Sequence, residues 1–104
     1  MSYKIVHHAQ VESDILAITG YLASYAGLHV AKKKVDEITA FIDTLAYFPK
    51  IGSIRSEIMA DLRAVPAGDN AVVCFIVNDQ TMTVTIMYVS YAGSDWAARL
   101  KDRL

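Results

Sequence analysis

The side chains in this chain best suited to chemistry are Arg63, Tyr88, Tyr91 and Arg99. A guanidinium stabilises developing negative charge and a phenol can pass a proton, so an arginine set beside a tyrosine is a minimal acid–base pair for cutting a substrate. The stretch YVSYAGSDWAARL, residues 88–100, poses the alternative, because tyrosine, tryptophan and arginine are also the side chains that anchor docking surfaces. An ordinary phenol with a pKa of about 10 stays protonated at neutral pH, and one guanidinium is a sparse cage for a charged transition state. Arg63 interrupts the apolar run DLRAVPAG, where it must reach the sheet surface or pair with Asp61, Asp69 or Asp95.

Other chemistries lack their residues. The chain has no glycine-rich phosphate loop, no GxSxG elbow and no Cys/His ligand set. His7 and His8 are adjacent, so on a strand they point to opposite faces, and His29 stands alone. No metal and no cofactor is expected. Asp36 and Glu37 fall on the outer face of a helix, as do Lys32, Lys33 and Lys34. The single cysteine, Cys74, lies inside AVVCFIVN and reads as a buried, inert thiol in a reducing compartment.

The elements that must position these residues follow from periodicity. Residues 3–7, YKIVH, read as a short edge strand. Val11, Ile15, Ile18, Leu22 and Tyr25 recur at helical spacing, with Glu12 and Asp14 near the start, where the helix dipole favours acids. Gly20 is expected to admit close packing of the next helix. A second stripe, Ala31, Val35, Ile38, Ile42 and Leu45, follows the break at Gly27, so the helices form an antiparallel hairpin. Pro49 and Gly52 end it.

Beyond Gly52, the runs DLRAVPAG, AVVCFIVND and MTVTIMYVSY alternate as strands, the last two joined by the turn NDQT. In the last strand, Thr83, Thr85, Met87, Val89 and Tyr91 are placed on one side, and Met82, Val84, Ile86, Tyr88 and Ser90 on the other. Both faces are apolar, which suggests a partner over the second one. The fold class is α+β, with order β-α-α-β-β-β: an antiparallel sheet packed on a helical hairpin, followed by a short C-terminal helix.

With 104 residues, the chain suits one domain, 1–104. A net charge of −1 weighs against a nucleic-acid ligand, which would require a basic excess. No apolar run approaches the roughly 20 residues of a membrane span, and a cytoplasmic, membrane-free protein is expected.

The order of YKIV, SDILAITGYLA, TLAYFPKIG, DLRAVPAGDNAVVCFIV and VTIMYVSYAGSDWAARL resembles the ParE/RelE superfamily of type II toxin–antitoxin toxins along essentially the whole chain. The resemblance rests on Asp14, Ile15, Ile18 and Tyr21, on the turn Phe48, Pro49 and Gly52, on Leu62 with Arg63, and on Tyr91, Gly93, Asp95 and Trp96. It implies one of two activities, or else an inactive relative that only binds its antitoxin. RelE-like members cleave mRNA on the ribosome, which here would fall to Arg63 and Tyr91 as catalytic residues. ParE-like members poison DNA gyrase without cutting RNA. Tyr88 and Ser90 lie where the ribonucleases tend to carry another basic residue, and Tyr91 lies where many carry His, so the ParE-like branch is expected. Its implied target-binding residues are Tyr91, Trp96, Arg99 and Arg103. A cognate antitoxin is expected near Ile15, Ile18, Leu22 and Val35.

Overall fold

The computed structural model describes residues 2–68, 70–92 and 95–103. Strand β1 (Lys4–His7) leads into helix α1 (Val11–Ala26) and, across Gly27, into α2 (Leu28–Thr44). Four strands follow, β2 (Ser53–Ile54), β3 (Leu62–Pro66), β4 (Ala71–Asn78) and β5 (Thr83–Tyr91), and then the short helix α3 (Trp96–Lys101). The strand order is β1-β5-β4-β3-β2, a five-stranded sheet.

The β3-β4-β5 meander is antiparallel, but β1 pairs with β5 in parallel, Lys4 opposite Thr83 through His7 opposite Ile86, so the sheet is mixed. The added strand β2 covers only two residues, too few for alternation to reveal it. The β4–β5 turn is built by Asn78, whose side-chain oxygen accepts from the Gln80 and Thr81 amides.

One layer of core lies between the helices and the sheet. Val11, Ile18 and Leu22 of α1 and Ala31, Ile38 and Ile42 of α2 pack with Val73, Phe75, Val84, Ile86 and Val89. Two expectations about α1 fail. Gly20 is exposed and nothing approaches the place of its missing side chain, so it admits no close packing. Tyr25 lies off the core, 63% exposed, with its ring edge against Tyr21.

The simple division of β5 into two sides also fails, for a local reason. Cys74 pairs with Tyr88 but Phe75 pairs with Ile86, so Met87 is an extra residue, a β-bulge. The bulge resets the alternation: Ile86 and Val89 both face the helices, while Met87 and Tyr88 belong to a second cluster. That cluster gathers Leu62, Ala64, Cys74, Met87, Tyr88 and Leu100, with Ile58, Met59 and Trp96 against it. The second apolar face of the sheet is therefore covered in large part by the chain's own residues, from the loop before β3 and from α3.

Two measurements check this packing. Gly52 has φ +80, and a side-chain carbon there would sit 2.6 Å from the Ala64 carbonyl oxygen, whereas Gly68, φ +86, has open space. Gly68→Ala should cost only the backbone penalty, about 1 kcal/mol, and Gly52→Ala clearly more, on the order of 2–4 kcal/mol, by urea denaturation. Burial pushes the Cys74 thiol up to about 12, which leaves roughly a thousandfold less thiolate than an ordinary cysteine at pH 8. Alkylation at pH 8 should be negligible in the native protein and rapid in denaturant.

Candidate functional site

The residues expected at the docking rim converge only in part. An open groove of about 580 Å³ runs between α1, the end of β5 and the tail, and Tyr21, Tyr88, Tyr91, Arg99 and Asp102 line it beside Asp14 and Arg103. Tyr91 is half-buried, and its ring lies 6.2 Å from that of Tyr21. Arg99 is exposed.

Arg103 is not a free rim charge. Its Nη1 donates to Asp14 Oδ2 at 2.8 Å and to the Met87 carbonyl at 3.0 Å, and its Nη2 donates to Asp14 Oδ1. The guanidinium also lies 4.2 Å from the centre of the Tyr88 ring. The Asp14 and Arg103 side chains are only 6% and 13% exposed. Hydrogen bonding to Asp14 holds the Arg103 guanidinium above the usual arginine range, against the opposing effect of burial.

The placement of this pair follows from the sheet. The β1 pairing ends at His7 opposite Ile86, so the outer edge of β5 beyond the bulge has no strand neighbour. The Val89 amide there donates to Asp14 Oδ2 at 3.1 Å, and the Met87 carbonyl accepts from Arg103. The ion pair thus satisfies backbone groups that a longer β1 would have paired.

Trp96 is partly buried against the second cluster, with the Arg55 guanidinium 5.0 Å from its ring centre, so it pins α3 to the sheet. Asp95 caps α3 by accepting from the Ala98 amide at 3.3 Å. Arg55 also pairs with Glu57, which holds that exposed carboxyl below its usual range.

Arg63 lies elsewhere. It lines a separate groove of about 280 Å³ with Lys50, Asp61 and Asp79, and its Nη1 donates to the Ile51 carbonyl at 3.4 Å. Among the described residues no carboxylate forms a salt bridge with it; Asp61 and Asp95 do not, and Asp69 lies outside the described residues. Beside it, Asp79 accepts from Lys50 at 2.8 Å and from the Tyr3 hydroxyl at 2.7 Å, which lowers its pKa. Arg63 pairs with Phe75 on β4 and Tyr91 with Ala71, positions roughly 13 Å apart along that strand. The acid–base pair suggested by residue type is not assembled.

The four side chains expected to meet an antitoxin are mostly interior. Ile18 and Leu22 are 5% and 2% exposed in the core, and Ile15 and Val35 pack partly against it. Ile15 also lines a groove of about 610 Å³ with His7, His8, Glu12 and Leu16. Gly93 and Ser94, in the stretch first singled out, lie outside the described residues. Among the described residues no three His, Cys, Asp or Glu side chains cluster to hold a metal, and no helix is long and apolar enough to cross a membrane.

Comparison with known proteins adds the following. The family described as the ParE toxin of the type II toxin–antitoxin system parDE matches residues 5–96. No curated protein matches the chain. Among solved structures, the chromosomal ParDE system of P. aeruginosa superposes with TM-score 0.74 at 16% identity, covering 88% of this chain and 97% of the other. The RelBE2 toxin–antitoxin complex of Mycobacterium tuberculosis gives 0.64 at 14% identity, covering 88% and 100%. A double-arginine mutant of E. coli toxin RelE in the free state gives 0.66 at 10% identity, covering 99% and 97%. At these identities the superpositions establish a shared fold.

The ion pair yields a stability test. Asp14→Ala would strand the Arg103 charge and the Val89 amide without their acceptor, a loss on the order of 3–5 kcal/mol. Urea denaturation should show it as a lower midpoint.

Proposed function

The chain belongs to the ParE toxin family of type II toxin–antitoxin systems, and from that premise we propose that it arrests growth by docking on DNA gyrase, with a cognate antitoxin holding it inactive. The groove between α1, β5 and the tail is the proposed docking surface, with Tyr91 and Arg99 on its rim and Trp96 anchoring the helix that carries Arg99.

The observation that carries a protein target over an RNA substrate is the charge of this groove. Its lining includes Arg99 and Arg103 against Asp14 and Asp102, so it has no cationic excess to neutralise phosphates. Arg103 is moreover consumed by Asp14. Three tyrosines, Tyr21, Tyr88 and Tyr91, line the same groove, a composition suited to a polypeptide partner. The step from a protein to gyrase rests on the family.

For the antitoxin, the groove that Ile15 lines beside Leu16 is the proposed contact. Ile15 and the exposed Leu16 supply apolar surface there, and the β1 strand lies at the sheet edge nearby. An amphipathic helix or an added strand suits such a surface.

The test is a supercoiling assay with antitoxin-free protein, beside a ribosome-dependent mRNA cleavage assay on the same preparation. Loss of supercoiling with intact mRNA is expected; cleaved mRNA with active gyrase would overturn the reading. Arg99→Ala should weaken inhibition roughly tenfold, while Arg63→Ala should leave it unchanged.

A further inference from the structure

Helix α3 has six residues, too few to be stable alone, so its position is set by what attaches it. Leu100 is fully buried in the second cluster and Trp96 packs beside it, which fixes how deeply the helix sits against the sheet. Burial of this pair, four residues apart on one face, fixes which face of the helix turns inward, but being non-directional it sets the rotation less tightly than a hydrogen bond does. The Arg103 guanidinium, held by two carboxylate oxygens and a carbonyl, is directional.

Arg99 and Arg103 are four residues apart, and the turn continues past the helix, with the Arg103 amide donating to the Leu100 carbonyl at 3.0 Å. Side chains at that spacing share a face. Both line the groove with Tyr21 and Tyr91, Arg103 tied down and Arg99 exposed.

We infer that Asp14 is a positioning residue for the docking rim: by clamping Arg103 it fixes the rotation of the tail and so aims Arg99 into the groove. The inference rests on the docking reading of the groove and assigns Asp14, on a different element from the rim, a part in it. Exchanging both charges for apolar side chains avoids the large cost of stranding one of them, and what remains is the cost of the unpaired Val89 amide and Met87 carbonyl, so the clamp can be removed from a chain that still folds.

The test therefore removes both charges together, Asp14→Leu with Arg103→Met, and asks whether Arg99 still matters. Three readouts are taken on the full chain: the melting temperature, amide exchange of residues 96–103, and growth arrest on induced expression, which does not presuppose gyrase. The double variant leaves the Val89 amide and the Met87 carbonyl without their side-chain partners, so it is expected to stay folded but melt below the parent, with faster exchange in the tail. Arg99→Ala should weaken growth arrest roughly tenfold in the parent and have almost no effect in the double variant. Asp14→Glu, which keeps the charge pair, should retain the dependence on Arg99.

An equal effect of Arg99→Ala in both backgrounds, or unchanged tail exchange, would overturn the inference. If the double variant does not fold, Arg103→Lys serves instead: it keeps the charge but loses the two-pronged grip, and an Arg99→Ala effect as large as in the parent would again overturn it. Failure of the gyrase reading shows separately, in the supercoiling assay, while growth arrest and exchange still judge the clamp.

Discussion

The arrangement around the groove depends on one interaction, the pairing of Asp14 with Arg103 across 89 positions of sequence. It joins the first turn of α1, the bulged stretch of β5 and the tail. A carboxylate facing a core is costly without a partner. Here the partner is a guanidinium that also answers a backbone carbonyl, while the carboxylate answers a backbone amide, so the pair completes the edge of a sheet whose neighbouring strand stops at His7. The charge pair and the short β1 are two parts of one solution.

The bulge at Met87 has a comparable reach. Without it, strict alternation would put Ile86 and Tyr88 on one side, and Val89 would leave the helical core for the other. With it, Ile86 and Val89 both reach the helices while Met87 and Tyr88 turn to the second face. The chain can then cover that face with Leu100, Trp96 and the loop before β3, which accounts for so apolar a composition in 104 residues.

The helical hairpin and the meander were legible because each is a sustained period, 3.6 residues in α1 and α2 and two in β3, β4 and the first half of β5. The parallel pairing of β1 was not, since strand direction within a sheet is set by topology, and β2 was too short to carry a pattern. The site was legible by residue type and only partly by role. Tyr91 and Arg99 do line the groove, but Arg103, a rim charge by residue type, and Asp14, a dipole-favoured acid by its place near a helix start, are instead the two halves of a buried ion pair. A signal was present: Asp14 is three residues after Val11 and four before Ile18, on the stripe that becomes core, and an acid on such a stripe requires a cation from elsewhere. The sequence names several candidate cations and does not say which one arrives.

The separation of Arg63 from Tyr91 shows how one sheet can carry two chemically distinct surfaces. Around Arg63, Lys50 and Arg63 face Asp61 and Asp79, and Lys50 is already engaged with Asp79. Around Tyr91, the surface is aromatic with balanced charge. Acid–base cleavage of a phosphodiester requires both kinds of group within reach of one phosphate, and the strand register holds Arg63 and Tyr91 four β4 positions and two strand spacings apart. The register is in turn held by Phe75 and Val73, fully buried between sheet and helices. Bringing the two groups together would require repacking that core, a far larger change than the rotation of a side chain. A partner seated in the tyrosine groove needs no such change, because Tyr21, Tyr91 and Arg99 already line one surface.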